Sequence, residues 1–159
     1  QICYTSTDGK VVMPYNIYVF GAKLVSNVYE DGKGIIKFDG DVTSIGDHAF
    51  FRSISLTSIA LPESVTSIGD YAFRDCTSLT SITLPEGVTS IGYGAFEKCI
   101  NLEMIKIPKG VSKIQEDTFK GCKKLSLVSI SDNVNEICEN AFEDCHAEIE
   151  VYHDNTKHY

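Results

Sequence analysis

Four cysteines, Cys76, Cys99, Cys122 and Cys145, recur every 23 residues, and Ser53 holds the same place one step earlier. Thiols can ligate a metal, work as a redox pair or fill space as small hydrophobes, and their spacing decides among these. Metal ligands must converge on a point. Side chains that recur once per structural unit form a line instead, with neighbours ~5 Å apart at the spacing of adjacent strands. The column reads as a ladder of buried free thiols; bridges between adjacent copies are the alternative that this spacing allows. Cys138 falls in the column of Gly46 and Gly69, and Cys3 lies outside the repeats, so their pairing stays open. His48, His146, His153 and His158 share no column and no ligand spacing, which makes them surface histidines rather than a metal site. No Ser/His/Asp arrangement, Gly-rich phosphate loop or carboxylate pair recurs with the period. No catalytic residue, metal or cofactor is expected, and the chain reads as non-enzymatic.

The same step of 23 governs the apolar residues. Val42, Val65, Val88, Val111 and Val134 form one column, and Ile45, Ile68, Ile91, Ile114 and Ile137 another. Phe50, Phe73, Phe96, Phe119 and Phe142 form a third, read as a buried spine. Leu56, Leu79, Leu102 and Leu125 follow, then Ile59, Ile82, Ile105, Val128 and Val151. Self-similarity at this period marks a solenoid. Within the second copy, Ile82 and Leu84 alternate with Ser81 and Thr83 as in a half-buried strand, which Pro85 ends. Val65 and Ile68 hold a shorter extended segment. Ala72, Phe73 and Cys76 are spaced for a short helical or 3₁₀ turn facing inward. One unit cannot bury its apolar face alone; stacked units can.

The period divides the chain into three parts. Residues 1–41 are a β-hairpin capping segment, with hairpins around Asp8-Gly9 and Asp31-Gly32 and a first parallel strand at 35–38. Residues 42–152 are five copies, and 153–159 a polar tail or truncated cap. Gln1 opens the chain without Met or signal peptide, which reads as a mature or truncated form.

Leu79 to Pro85 has the form L-x-x-I-x-L-P, the core of leucine-rich repeats. The longer VTSIGxxAFxxCxxLTSIxLP resembles the BspA-like leucine-rich repeats of surface proteins from host-associated anaerobic bacteria and some protozoan parasites. The resemblance covers residues 42–152, and GIIKFDGDVTSIG carries it into the N-terminal segment. It implies a β-rich α/β repeat: a curved, right-handed leucine-rich-repeat solenoid with a concave parallel sheet and short convex extended segments. It also implies an extracellular or cell-surface protein that recognises host or microbial macromolecules. A host extracellular-matrix or cell-surface protein is the first partner class and a glycan the second. The alternative is a structural spacer or assembly segment of a larger surface protein whose ligand site lies elsewhere. Gln115, Thr118, Cys138 and Glu148 depart from the pattern and bear on local packing.

A binding role must then rest on the residues between the core positions of the concave strands. These are Ile35/Lys37, Ser58/Ala60, Ser81/Thr83, Met104/Lys106, Leu127/Ser129 and Glu150/Tyr152. The early pairs are small and hydroxyl-rich, without the aromatic platform a glycan would need. The later ones place Met104, Leu127 and Tyr152 side by side, and gathered apolar residues mark interaction sites. The candidate ligand-binding set is Met104, Lys106, Leu127, Ser129, Glu150 and Tyr152, with Ile35 and Lys37 at the other end.

Composition narrows the partners further. The 159 residues carry 14 basic and 22 acidic side chains, a net charge of −8, which argues against a nucleic-acid binder. No apolar run reaches the ~18 residues of a membrane span. Charge also segregates: residues 1–88 carry 6 basic and 10 acidic groups, 89–130 carry 7 and 4, and 131–159 carry 1 and 8. A basic band beside an acidic end can steer a polar partner or a second copy.

Overall fold

The structure is a computed structural model describing residues 1–153, so the remainder of the expected tail, His158 included, lies outside the described residues. The strands are β1 (Ile2–Ser6), β2 (Leu24–Glu30), β3 (Lys33–Phe38), β4 (Ser44–Ile45), β5 (Leu56–Ala60), β6 (Ser67–Ile68) and β7 (Ser81–Thr83). They continue as β8 (Ser90–Ile91), β9 (Met104–Lys106), β10 (Lys113–Ile114), β11 (Leu127–Ser131), β12 (Glu136–Ile137) and β13 (Glu148–Tyr152). Each copy contributes one main strand and one two-residue strand. Both stack in parallel on their counterparts in the adjacent copy, as Ser58↔Ser81 and Ile59↔Ile82 do on one side and Ser67↔Ser90 and Ile68↔Ile91 on the other. The result is a β-rich leucine-rich-repeat solenoid. Its core is a row of columns rather than a centre.

Phe50, Phe73, Phe96 and Phe119 are fully buried. Their rings lie in parallel at centroid separations of 5.5, 5.4 and 5.6 Å, and Phe142 continues the stack at 5.4 Å. The separation matches the rise from one coil to the next, so each ring fills the gap its neighbour leaves. The buried-spine reading of this column is what the structure contains.

The turns that carry the rings are not helical. Arg74 N donates to Tyr71 O at 3.2 Å and Cys76 N to Phe73 O at 3.1 Å, which are single-turn bonds. The alternate amides point elsewhere: Tyr71 N, Phe73 N and Asp75 N donate to Tyr93, Ala95 and Glu97 carbonyls of the next coil at 2.8, 2.8 and 2.9 Å. Tyr71 and Asp75 have φ of 56° and 59°. A continuing helix needs all these amides inside itself and φ negative throughout. Here half of them tie coil to coil, so the expected helical turn is a chain of single turns.

The N-terminal segment departs from expectation in two places. β2 and β3 do pair antiparallel across Asp31-Gly32. There is no second hairpin at Asp8-Gly9. The chain turns there, but both edges of β1 are occupied, by β3 and by β5, antiparallel in each case. β1 therefore separates β3 from β5, and residues 35–38 do not pair with the first main strand. Tyr4 explains the insertion: it is buried against the core, and its hydroxyl donates to Asn27 Oδ1 at 2.7 Å and accepts from Val12 N at 3.1 Å.

The stack also has a seam. β7 and β9 belong to different sheets, as do β8 and β10. Two substitutions account for the seam on the short-strand side. A Cβ on Gly92 would lie 2.6 Å from both Asp70 N and Gly69 C, so this corner requires backbone contact that only glycine permits. Gln115 brings a Cβ to the next such corner, and its buried Oε1 has no hydrogen-bond partner. Second, Asp47 Oδ1 accepts from Asp70 N at 2.8 Å and Asp70 Oδ1 from Tyr93 N at 2.9 Å. Tyr93 has no carboxylate to continue that ladder. Two predictions follow from the columns. Phe96→Ala should cost about 3–5 kcal/mol in urea unfolding, and Phe142→Ala, half-buried at the end of the stack, clearly less. Gly92→Ala should cost about 1–3 kcal/mol, since the clashing atoms include backbone.

Candidate functional site

The outward face of the main sheet divides at the seam. Met104 is 58% exposed, and Leu127, half-buried, is its register partner. Lys106 stands beside Ser129 in the same way. Tyr152 does not join Met104 and Leu127. β11 pairs with β13 as Leu127↔Glu148 and Ser131↔Tyr152, an offset of 21 residues rather than 23. The last coil is two residues shorter before its strand, which moves Glu148 beside Leu127, Glu150 beside Ser129 and Tyr152 to the strand's far end. There the Tyr152 hydroxyl donates to the Ile107 carbonyl, and the Lys106 ammonium lies 4.8 Å from its ring centroid. Ile35 and Lys37 are separate from this group. Cys3 of the intervening β1 stands between Ile35 and Ala60.

A groove of about 280 Å³ opens where β7 and β9 part. Ile82, Leu84 and Ile105 line its floor, with Met104 and Leu127 along one wall and Ser81 and Thr83 along the other. Glu86 and Lys106, 3.5 Å apart, close one end. Ser81, Thr83, Leu84 and Glu86 were missing from the sequence-derived set. The columns treat every interval between strands as equivalent, and only a break in the ladder distinguishes this one. Chemically the groove has an apolar floor and one ion pair at its rim, which suits an apolar side chain held beside a polar group.

The columns, the parallel registers and the matched sequence now converge. Residues 35–157 match the family model of the BspA type leucine-rich-repeat region in six copies. The chain belongs to this family. The BspA-type match begins at Ile35, so it counts one copy before the five seen in the columns. Similar solved structures include a leucine rich cell surface protein from Faecalibacterium prausnitzii, 35% identical over 74% of this chain and 31% of that one, with a TM-score of 0.67. A T. pallidum leucine rich repeat protein is 38% identical over 70% of this chain and 53% of that one, with a TM-score of 0.66. A leucine-rich repeat protein from Bacteroides capillosus is 30% identical over 79% and 90%, with a TM-score of 0.53. The BspA-type chain spans about a third of the length of the first and about half of the second. Among curated proteins nothing matches it. Leucine-rich repeats are generally protein-interaction modules. No helix among the described residues is long and apolar enough to cross a membrane.

Charge in this BspA-type chain is partly answered from within. Lys113 Nζ lies 2.9 Å from Glu136, and Lys120 Nζ 2.8 Å from Glu143, so the basic band meets the acidic end coil to coil. Such exposed pairs contribute little to stability, but they leave less charge for a partner.

The thiols are spent on packing. All six cysteines are free. Cys76, Cys99 and Cys122 are buried, each donating Sγ–H to a phenylalanine carbonyl of the preceding coil at 3.1, 3.1 and 3.0 Å. Desolvation pushes the thiols of Cys76 and Cys122 from 9.0 up to about 12, and that of Cys99 well above its ordinary value. Protonated thiols in a dry column are neither nucleophiles nor metal ligands. In the unfolded chain these thiols ionise above pH 9.0, while in the fold Cys76 and Cys122 hold their protons to about 12. The unfolded state then binds fewer protons, so stability falls as pH rises from about 9, by roughly 1.4 kcal/mol per unit for each such thiol. Urea melts between about pH 8 and pH 10.5 should show this slope, and Cys76→Ala with Cys122→Ala should make it shallower, leaving the part due to Cys99.

Proposed function

We propose that this BspA-type chain is a non-enzymatic recognition module, displayed at the cell surface or secreted, that binds a protein through the concave face of its solenoid. The observation that carries this reading is the groove between β7 and β9 with exposed Met104 and half-buried Leu127 on its wall. Stacked strands make a rigid platform, which lowers the ordering cost of binding. An apolar side chain of the partner would enter the groove, with Lys106, Ser129 and Glu150 forming its polar rim. The naming of the F. prausnitzii relative as a cell surface protein supports the location. A host extracellular-matrix or cell-surface protein is the partner class this placement favours, and adhesion is the role it would serve. In this reading the segment through residue 41 caps the N-terminal end of a right-handed solenoid.

A second reading, an assembly segment within a larger surface protein, draws on the last coil. Ile137, Ile149 and Val151 are 41%, 44% and 50% exposed, whereas Ile114, Val128 and Ile130 inside them are at most 5%. Binding to arrayed extracellular-matrix proteins separates the two. Met104→Ser with Leu127→Ser should weaken retention of the bound protein about tenfold or more while leaving the thermal melt unchanged. Undiminished retention would remove the concave groove as the site, and silence across the array would favour assembly.

A further inference from the structure

On the turn side of the first two coils lies a group of aromatic rings. The loop before β2 runs along the first copy, with Tyr15 N donating to Ala49 O at 2.8 Å and Gly46 N to Val19 O at 2.9 Å. This sets the Tyr15 ring edge-on to Phe51 at 5.2 Å. His48 sits 5.5 Å from Phe51 and 5.3 Å from Tyr71. The Arg52 guanidinium lies 5.1 Å from the Phe51 centroid, and that of Arg74 5.4 Å from Tyr71. Tyr15 is 67% exposed and the Arg52 side chain 71%.

The repeat itself does not call for these rings. In the column of His48 and Tyr71 the later copies carry Gly94, Asp117 and Asn140, and in that of Phe51 they carry Arg74, Glu97, Lys120 and Glu143. His48 and Tyr71 also occupy the left-handed region, at φ of 58° and 56°. Gly94 takes the same conformation without a Cβ, and His48 and Asp117 as residue types that tolerate it, whereas the bulky Tyr71 there carries strain. The chain thus places in these columns of the first two coils aromatic groups that the later copies lack.

The polar groups among the rings indicate the ligand. Arg52 and Arg74 are matched by Asp75 and Glu97: Arg74 Nε lies 3.6 and 3.3 Å from the two carboxylates, and Arg52 Nε 3.9 Å from Asp75. Two cations against two anions leave no net charge to attract a phosphate or carboxylate. What remains is a mixture of donors and acceptors (guanidinium, carboxylate, imidazole and phenol) beside the exposed Tyr15 ring and the half-buried rings of His48 and Phe51. A hydroxyl both donates and accepts, and a sugar ring has a C–H face that packs on an aromatic. A purely apolar side chain would use the rings alone and cover the ion pairs without offering them a hydrogen bond.

We infer that the flank formed by Tyr15, His48, Phe51 and Arg52 is a binding site for neutral glycans. It is distinct from the groove on the main sheet and does not depend on that assignment. The test is a printed array holding galactose-, glucose-, mannose- and N-acetylhexosamine-terminated neutral glycans alongside sialylated and sulfated ones. The wild-type chain should retain at least one neutral class. Tyr15→Ala with Arg52→Ala should lower that retention about tenfold or more, Tyr15→Phe should largely keep it, and Met104→Ser with Leu127→Ser should not alter it. If the double variant melts early, Arg52→Gln alone decides. Retention of acidic glycans only, no neutral retention, or wild-type retention by the decisive variant each overturns the proposal.

Discussion

Every coil rests on a copy of itself, and that constraint organises the molecule. Phe73 has Phe50 on one side and Phe96 on the other, at nearly equal distance and nearly parallel. The same holds for valine, isoleucine, leucine and cysteine, so a residue's packing partner is its own column. Equal coil length follows: one inserted residue would place every later side chain against the wrong neighbour. Small, close contacts follow too. The corner glycines touch the backbone of the preceding coil, and the turn amides alternate between closing their own turn and reaching the next coil. Stability in such a stack is a sum over neighbours, with no centre to lose.

Departures from the period are accordingly where the structure changes character. Gln115 and Tyr93 interrupt the glycine and aspartate ladders, and there the short-strand sheet divides between β8 and β10. The main sheet divides one half-coil away, between β7 and β9, and that division opens the groove. A two-residue shortening before β13 shifts its register and carries Tyr152 away from Leu127 toward Ile107. At the N-terminal end, Tyr4 anchors a strand running against the repeat direction, which ends the parallel series without an open edge on β5.

These observations bear on how a BspA-type chain distributes function. Inward columns have little freedom, since each must fit two copies of itself. Outward positions on the strands and turns are less constrained by stacking, so they are where the proposed binding surfaces have room to vary. The main-sheet groove and the aromatic flank lie on different sides of the coil and draw on different chemistry, one apolar with an ion pair, the other aromatic with balanced charge. Both sit on backbone held from coil to coil by hydrogen bonds, which gives exposed side chains a firm base.

The inward face was legible before any coordinates. A column that repeats at 23 residues can be filled only by stacking like on like, so the phenylalanine spine, the buried thiols and the parallel registers follow from periodicity alone. Ala72, Phe73 and Cys76 have the spacing of a short helical or 3₁₀ turn and do face inward, but only single i→i−3 bonds form, because the destination of the alternate amides is a property of the neighbouring coil. The candidate site was legible in part: Met104 and Leu127 are neighbours, but Tyr152 stands apart because its offset depends on where two residues were lost. The groove, and the loop that completes the aromatic flank, had no signal in the columns. One arises from a ladder that fails to close, the other from a non-repeating loop laid along the first coil. Sequence by itself determined what each residue stacks upon, because the period imposes it. Tertiary structure alone decided what lies beside what across a seam, a shortened coil or a loop, because there the chain no longer meets its own copy.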